Sequence, residues 1–69
     1  MNEWYALMRD KEDTDHSNGT YDYDKAVRML RDMVADGYQD AYIAVIDPRE
    51  DFCLGMICID EDGDAVYQR

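Results

Sequence analysis

The chain predicts an α+β domain: a mixed or antiparallel sheet of three or four strands with one amphipathic helix on a single face, in the order β-α-β-β-β. Three observations carry this expectation. Residues 22–37 hold an apolar stripe at helical spacing, opened by an acidic cap and closed by a glycine. Apolar stretches of strand length stand at 3–9, 41–46, 52–59 and 64–68, separated by turn-forming residues. The length, 69 residues, suits one small domain.

The first strand reads Glu-Trp-Tyr-Ala-Leu-Met-Arg over residues 3–9. Trp4, Ala6 and Met8 share one face, and Tyr5 and Leu7 the other. Residues 10–21 are polar, contain Ser-Asn-Gly-Thr, and read as a loop. Asp22 then suits an N-cap, and Asp24 places a carboxylate in the first turn, where the helix dipole favours it. At 100° per residue, Tyr23, Ala26, Val27, Met29, Leu30, Met33 and Val34 fall on one half of the helix. The outer half is charged, and the spacings Asp24–Arg28 and Arg28–Asp32 suit ion pairs one turn apart. Gly37 suits the left-handed position after the last turn, with Tyr38 as its apolar companion.

Ala-Tyr-Ile-Ala-Val-Ile at 41–46 is a second strand, and 47–51, with Pro48, is a turn. Residues 52–59, Phe-Cys-Leu-Gly-Met-Ile-Cys-Ile, form a third strand with no charge in it. Asp60-Glu61-Asp62-Gly63 is a hairpin turn in which Gly63 is free to take a positive φ, and 64–68 closes the sheet. Trp4, Leu7, Leu30, Val34, Ile43, Val45, Leu54 and Ile57 are the expected buried positions.

A strand with one face in water alternates apolar and polar residues, whereas the strands at 41–46 and 52–59 are apolar on both parities. One helix covers only one face. The other face needs a second copy, a foreign partner or a well-packed loop. Small chains bury only about 60% of the surface that their unfolded form exposes, so association is a common support for them. A homodimer through the sheet is the leading expectation, with Tyr5, Tyr42, Phe52 and Met56 as its interface residues. Tyrosine and methionine are both favoured at adaptable contacts.

Net charge is −10, from seventeen acids against seven bases. Direct contact with nucleic acid or an anionic membrane is disfavoured, and a basic protein is the favoured foreign partner. The acids cluster outside the helix: residues 1–24 and 47–69 each hold seven acids and two bases, and residues 25–46 hold three of each. If the strands at 3–9 and 41–46 are parallel, Asp10, Glu12, Asp13, Asp15, Asp22, Asp47, Glu50 and Asp51 gather at one pole and the turn at 60–63 lies at the other. Such a pole could present carboxylates to a partner. It motivates a second reading, a nucleic-acid mimic that occupies the basic groove of a DNA- or RNA-handling protein.

A third reading is a weak cation site in the acidic turns. The EF-hand pattern fails at both places. With Gly63 at position 6, positions 1 and 12 are Cys58 and Arg69; in the segment from Asp13, glycine falls one place late. His16 is the only histidine and sits in a polar loop. Cys53 and Cys58 lie in the most apolar segment with no base nearby in sequence, which suits packed thiols rather than nucleophiles. Five apart in a regular strand they point to opposite faces, so an internal disulfide is not expected. No cofactor motif or acid–base pair is present, so an enzyme is not expected. With no leader pattern, no spanning segment and reduced cysteines, the expected location is cytoplasmic.

Overall fold

The computed structural model describes residues 3–69. The protein is α+β, with one helix packed on a five-stranded antiparallel sheet. In chain order the elements are β1 (Trp4–Met8), β2 (Gly19–Thr20), α1 (Tyr23–Ala35), β3 (Tyr42–Asp47), β4 (Phe52–Ile59) and β5 (Ala65–Gln68). The spatial order is β2-β1-β3-β4-β5. No helix among the described residues is long and apolar enough to cross a membrane.

The helix forms where its caps place it. The Asp22 carboxylate accepts the Lys25 N–H at 3.3 Å, which satisfies one of the free donors of the first turn. At the other end Gly37 has φ +107°, Tyr38 N–H donates to Met33 C=O and Gly37 N–H to Val34 C=O. That pair of bonds is the Schellman closure, and it needs a residue without a Cβ at position 37. The ion pairs expected on the outer face do not form. Among the described residues the ion pairs within 4.0 Å are Arg9–Asp13 and Arg49–Asp47. Arg28 has water on its side of the helix, where an ordered pair gains little against side-chain entropy.

Ala26, Val27 and Leu30 from α1 pack on Leu7, Ile43, Val45 and Ile57 from three strands. Leu7, Leu30, Ile43 and Ile57 are almost wholly removed from water. Full burial of each such side chain is worth about 1.5–3 kcal/mol, so this layer supplies most of the drive to fold.

Two expectations are corrected, and one alternative left open is decided. The sheet has a fifth strand. Gly19–Thr20 pairs with Tyr5 and Ala6, so the segment read as loop 10–21 turns back onto β1 as a hairpin. Gly19 permits this approach, because a Cβ there would collide with the Tyr5 carbonyl oxygen. Next, of the two arrangements the sequence left open the antiparallel one is found: β1 and β3 pair with Trp4 opposite Ile46 and Met8 opposite Tyr42. The cause is β2: the chain has already reversed once before the helix, so the helix returns it to the Met8 end, where β3 starts. Finally, β4 is not regular. Val45 pairs with Gly55 but Ile46 pairs with Cys53, so Leu54 is an extra residue in a bulge. Leu54 is consequently 36% exposed rather than buried.

Candidate functional site

The sheet face turned away from the helix is the unusual part of the molecule. Cross-strand partners share a face, so the register assigns Trp4, Ala6 and Met8 of β1, Tyr42, Ala44 and Ile46 of β3, Cys53, Met56 and Cys58 of β4, and Val66 and Gln68 of β5 to it. Nearly all are apolar, as the doubly apolar strands require. The two halves of this face have different fates.

The β1–β3 half is closed. Ala6, Met8, Ala44 and Ile46 form a second buried cluster, with Trp4 and Tyr42 packed against it. Residues 9–18 are tied across it. The Trp4 indole N–H donates to the His16 carbonyl oxygen at 2.7 Å, and Trp4 meets Tyr21 edge to face at 4.8 Å. The loop is stiffened by its own aspartates. Asp10 accepts the Glu12 N–H, Asp13 the Arg9 and Asp15 N–H groups, and Asp15 the N–H and hydroxyl of Ser17. Arg9 Nε also reaches Asp13 at 3.3 Å. Hydrogen bonds from the Asp15 and Arg9 backbone hold the Asp13 carboxyl below its usual range. The Ser17 hydroxyl and then its N–H do the same for Asp15. The loop's acidity is thus spent largely on folding the loop.

The β4–β5 half is open. Tyr42, Ala44, Cys53, Leu54, Gly55, Met56, Gln68 and Arg69 line a shallow groove of about 310 Å³. Cys53 is exposed, and its thiol donates to the Gly55 carbonyl at 3.4 Å. The bulge at Leu54 changes the parity of β4, so Cys53 and Cys58 stand on the same face and not on opposite ones. They occupy register positions level with Ile46 and Tyr42, about 13 Å apart at 3.3 Å per residue, which keeps both thiols free. Burial pushes the Tyr42 phenol above its ordinary value, and Cys53, Asp13, Asp10 and Cys58 nearby add to the rise. On the helix side of the same strands, Tyr67 lies over Gly55 and donates to the Leu54 carbonyl at 3.2 Å. A Cβ at position 55 would meet the Tyr67 hydroxyl and the Gln68 carbonyl at 2.6 Å. The aromatic ring thereby covers the backbone that the glycine leaves bare.

Of the four expected interface residues, Tyr42 and Met56 line this groove. Tyr5 does not: it lies on the helix side against Tyr23, with ring centroids 5.7 Å apart. Phe52 is 61% exposed at the start of β4, but it pairs with Asp47 and so has the helix-side parity. Lys11 and Arg69, at the margins of the open half, were not singled out by the sequence. The one signal that could have found the shared face of the two thiols is Gly55, since a glycine inside a strand often marks a bulge.

The single acidic pole is undone by the antiparallel pairing. Asp10, Glu12 and Asp13 follow β1 at the Met8 end of the sheet, while Asp22, Asp47, Glu50 and Asp51 lie at the Trp4 end. Asp15 lies between them in the covering loop. The Met8 end instead gains Asp40, which lines a cleft with Asp10 and Glu12, and the turn at 60–64. In that turn the carboxylates of Asp60, Asp62 and Asp64 lie within 4.8 Å of one another, all exposed, and are the residues best placed to receive a cation. Asp60 already accepts the Asp62 and Asp64 N–H groups at 3.0 and 2.8 Å, so its carboxylate builds the turn. Comparison with known proteins finds no matching family model, no matching curated protein and no matching solved structure.

Proposed function

We propose that this protein is a small interaction module that binds a protein surface through the open β4–β5 half of its second sheet face. The observation that supports the reading is the asymmetry of that face. The chain covers one half with its own loop and leaves the other half apolar, with Cys53, Leu54 and Val66 in water. Contiguous exposed apolar surface on a small protein is characteristic of a contact site.

The test uses Cys53 as a reporter. Its alkylation rate, resolved from that of Cys58 by mass spectrometry, is measured in dilute protein, in concentrated protein and with cell extract added. Occupancy of the face slows the reaction at Cys53 by at least about tenfold in one of the last two conditions, corresponding to about 1.4 kcal/mol. A rate equal to that of a small thiol under every condition defeats the reading.

A different observation supports the nucleic-acid mimic. Asp10, Glu12, Asp40 and the turn 60–64 share one end of the sheet, an acidic surface differing from the pole expected from sequence. A mimic needs dense, ordered carboxylates to match a duplex that carries a charge about every 1.7 Å. Binding to a basic nucleic-acid-binding protein that fails to weaken steeply with salt would rule this reading out.

A further inference from the structure

We propose that the Asn18–Gly19 peptide is a site of spontaneous covalent modification, where deamidation and rearrangement to isoaspartate loosen the cover over the β1–β3 half-face as the protein ages. The change acts on the covered half of that face and is independent of what meets the open half.

An asparagine or aspartate followed by glycine is prone to close on its own backbone, because no Cβ hinders attack by the glycine nitrogen on the preceding side-chain carbonyl. The chain has three such places: Asn18–Gly19, Asp36–Gly37 and Asp62–Gly63. They differ in the state of the attacking nitrogen. Gly37 N–H donates to Val34 C=O at 3.1 Å, and Gly63 N–H to Asp60 C=O at 3.0 Å. Gly19 N–H is left out of the ladder. Leu7 N–H donates to Asn18 C=O at 2.7 Å, so antiparallel alternation points the N–H of the next residue away from β1. β2 is the outermost strand on that side, so no further strand receives it. Asn18 itself is exposed, at a bend just before the strand. Its side chain can turn onto its neighbour, and an amide is attacked more readily than the carboxylates of Asp36 and Asp62.

The step needs only water and hydroxide. The Gly19 nitrogen gives its proton to hydroxide and bonds to Asn18 Cγ. The Cγ–Nδ2 bond breaks, and ammonia leaves with a proton taken from water, which closes a cyclic imide. Water then opens the ring. Opening at Cγ gives aspartate. Opening at the main-chain carbonyl gives isoaspartate, whose backbone runs through the former side chain and is one carbon longer. Nothing is oxidised or reduced; ammonia is lost and water gained, a rise of about 1 Da.

Isoaspartate acts where the cover is fastened. The main-chain carbonyl that accepts Leu7 N–H becomes a free carboxylate, and the extra carbon pushes Gly19 along β1. Gly19 has no slack to absorb the shift, since even a Cβ there would collide with the Tyr5 carbonyl oxygen. His16, whose carbonyl holds Trp4, lies two residues back and is displaced with it. The new charge adds to the effect. Arg9, Asp13 and Asp15 line the cleft with Asn18, so a further carboxylate joins two acids and one base.

Peptide mapping of protein aged for several weeks at neutral pH, folded and in guanidinium chloride, tests this. In the folded chain the peptide that carries Asn18 gains about 1 Da and becomes a substrate for an isoaspartate-specific methyltransferase. Asp36 and Asp62 stay unrearranged there and rearrange only in the denaturant, where their glycine N–H groups are released. An Asn18 converted in denaturant but intact in the folded chain overturns the proposal. Rearrangement at Asp36 or Asp62 that keeps pace with Asn18 in the folded chain overturns it too. Hydrogen exchange on the separated forms tests the consequence. Exchange over residues 9–18 quickens in the isoaspartyl form and changes less in Asn18→Asp, which adds the charge without the carbon. Asn18→Gln, whose longer side chain closes the ring poorly, keeps its mass over the same period. An isoaspartyl form that exchanges like the parent overturns the loosening of the cover.

Discussion

The two halves of the second sheet face are made of the same kinds of residue and differ in what lies over them. Ala6, Met8, Ala44 and Ile46 are at most 5% exposed, whereas Leu54 and Val66 are 36% and 37% exposed and Cys53 is open to water. Connection length explains the difference. Residues 9–18 separate β1 from β2 and are long enough to cross the face and be fastened there by Trp4. Residues 60–64 separate β4 from β5 and close on themselves: Asp60 and Asp64 bond through their backbones, and the Asp60 carboxylate takes two further N–H groups. A turn this tight has nothing left to reach across a sheet. Apolar strand composition therefore does not decide burial in this protein; the connection beside each strand does.

The sharpest way to break the comparison is to truncate a side chain under the helix and one in the open half. Leu30→Ala and Ile43→Ala each remove a fully buried side chain from the helix-side core, at an expected cost of about 3 kcal/mol. Small domains are stable by only about 5–15 kcal/mol, so urea denaturation should show a large loss of midpoint. Equal losses for Leu54→Ala would mean that the open half is not open in solution.

The covering loop gives an intermediate effect. Trp4→Phe keeps the bulk of the ring but removes the N–H that His16 accepts, at an expected cost of about 1 kcal/mol. Hydrogen exchange should then quicken across residues 9–18 with little change in β4 and β5. Uniform quickening would show that the loop and the sheet open as one unit.

Acid should loosen the same loop from the other side. The carboxyls of Asp13 and Asp15 titrate lower in the folded chain than the ordinary aspartate value of 3.8. The stability they contribute is present above that value and is lost as pH falls through the lowered ones. Binding of an apolar dye should rise in that acid range as Met8 and Ile46 become accessible. In the doubly substituted Asp13→Asn, Asp15→Asn chain, dye binding should already be raised at neutral pH and change less with acid. An unchanged acid transition in that chain would place its cause elsewhere.

Local chemistry was legible and direction was not. The caps of α1 depend on Asp22 and Gly37 alone, and both stand where the pattern places them. The strands read at 41–46 and 52–59 are apolar on both parities, and the second face is indeed buried over its β1–β3 half. What the pattern could not carry was β2. Two residues have no period, and their pairing with Tyr5 and Ala6 depends on how the ten-residue connection 9–18 turns back. Without that hairpin the direction of β3 relative to β1 stayed open, and the antiparallel pairing removes the acidic pole from Asp10 to Asp51 that depended on a parallel one. The bulge had the same kind of effect at smaller scale. One extra residue at Leu54 exposed an expected core position and moved Cys53 to the face of Cys58. In the first case an unread pairing decides a direction, and in the second an unread extra residue reverses a parity.

The smallest expected change in stability belongs to the open half, and it is the most telling. Leu54→Ser and Val66→Thr alter side chains that are already more than a third exposed, so each should shift folding stability by no more than about 0.5 kcal/mol. Leu54 is also the bulged residue, and its carbonyl, not its side chain, holds Tyr67. The substitution therefore leaves the bulge bonded. If these positions serve only as surface, the two variants match the parent in mass as well as in stability. If the half-face is a contact, they leave the denaturation midpoint in dilute protein nearly unmoved and lower the association measured by sedimentation. A side chain whose loss weakens association without weakening the fold is held at the surface by something other than folding.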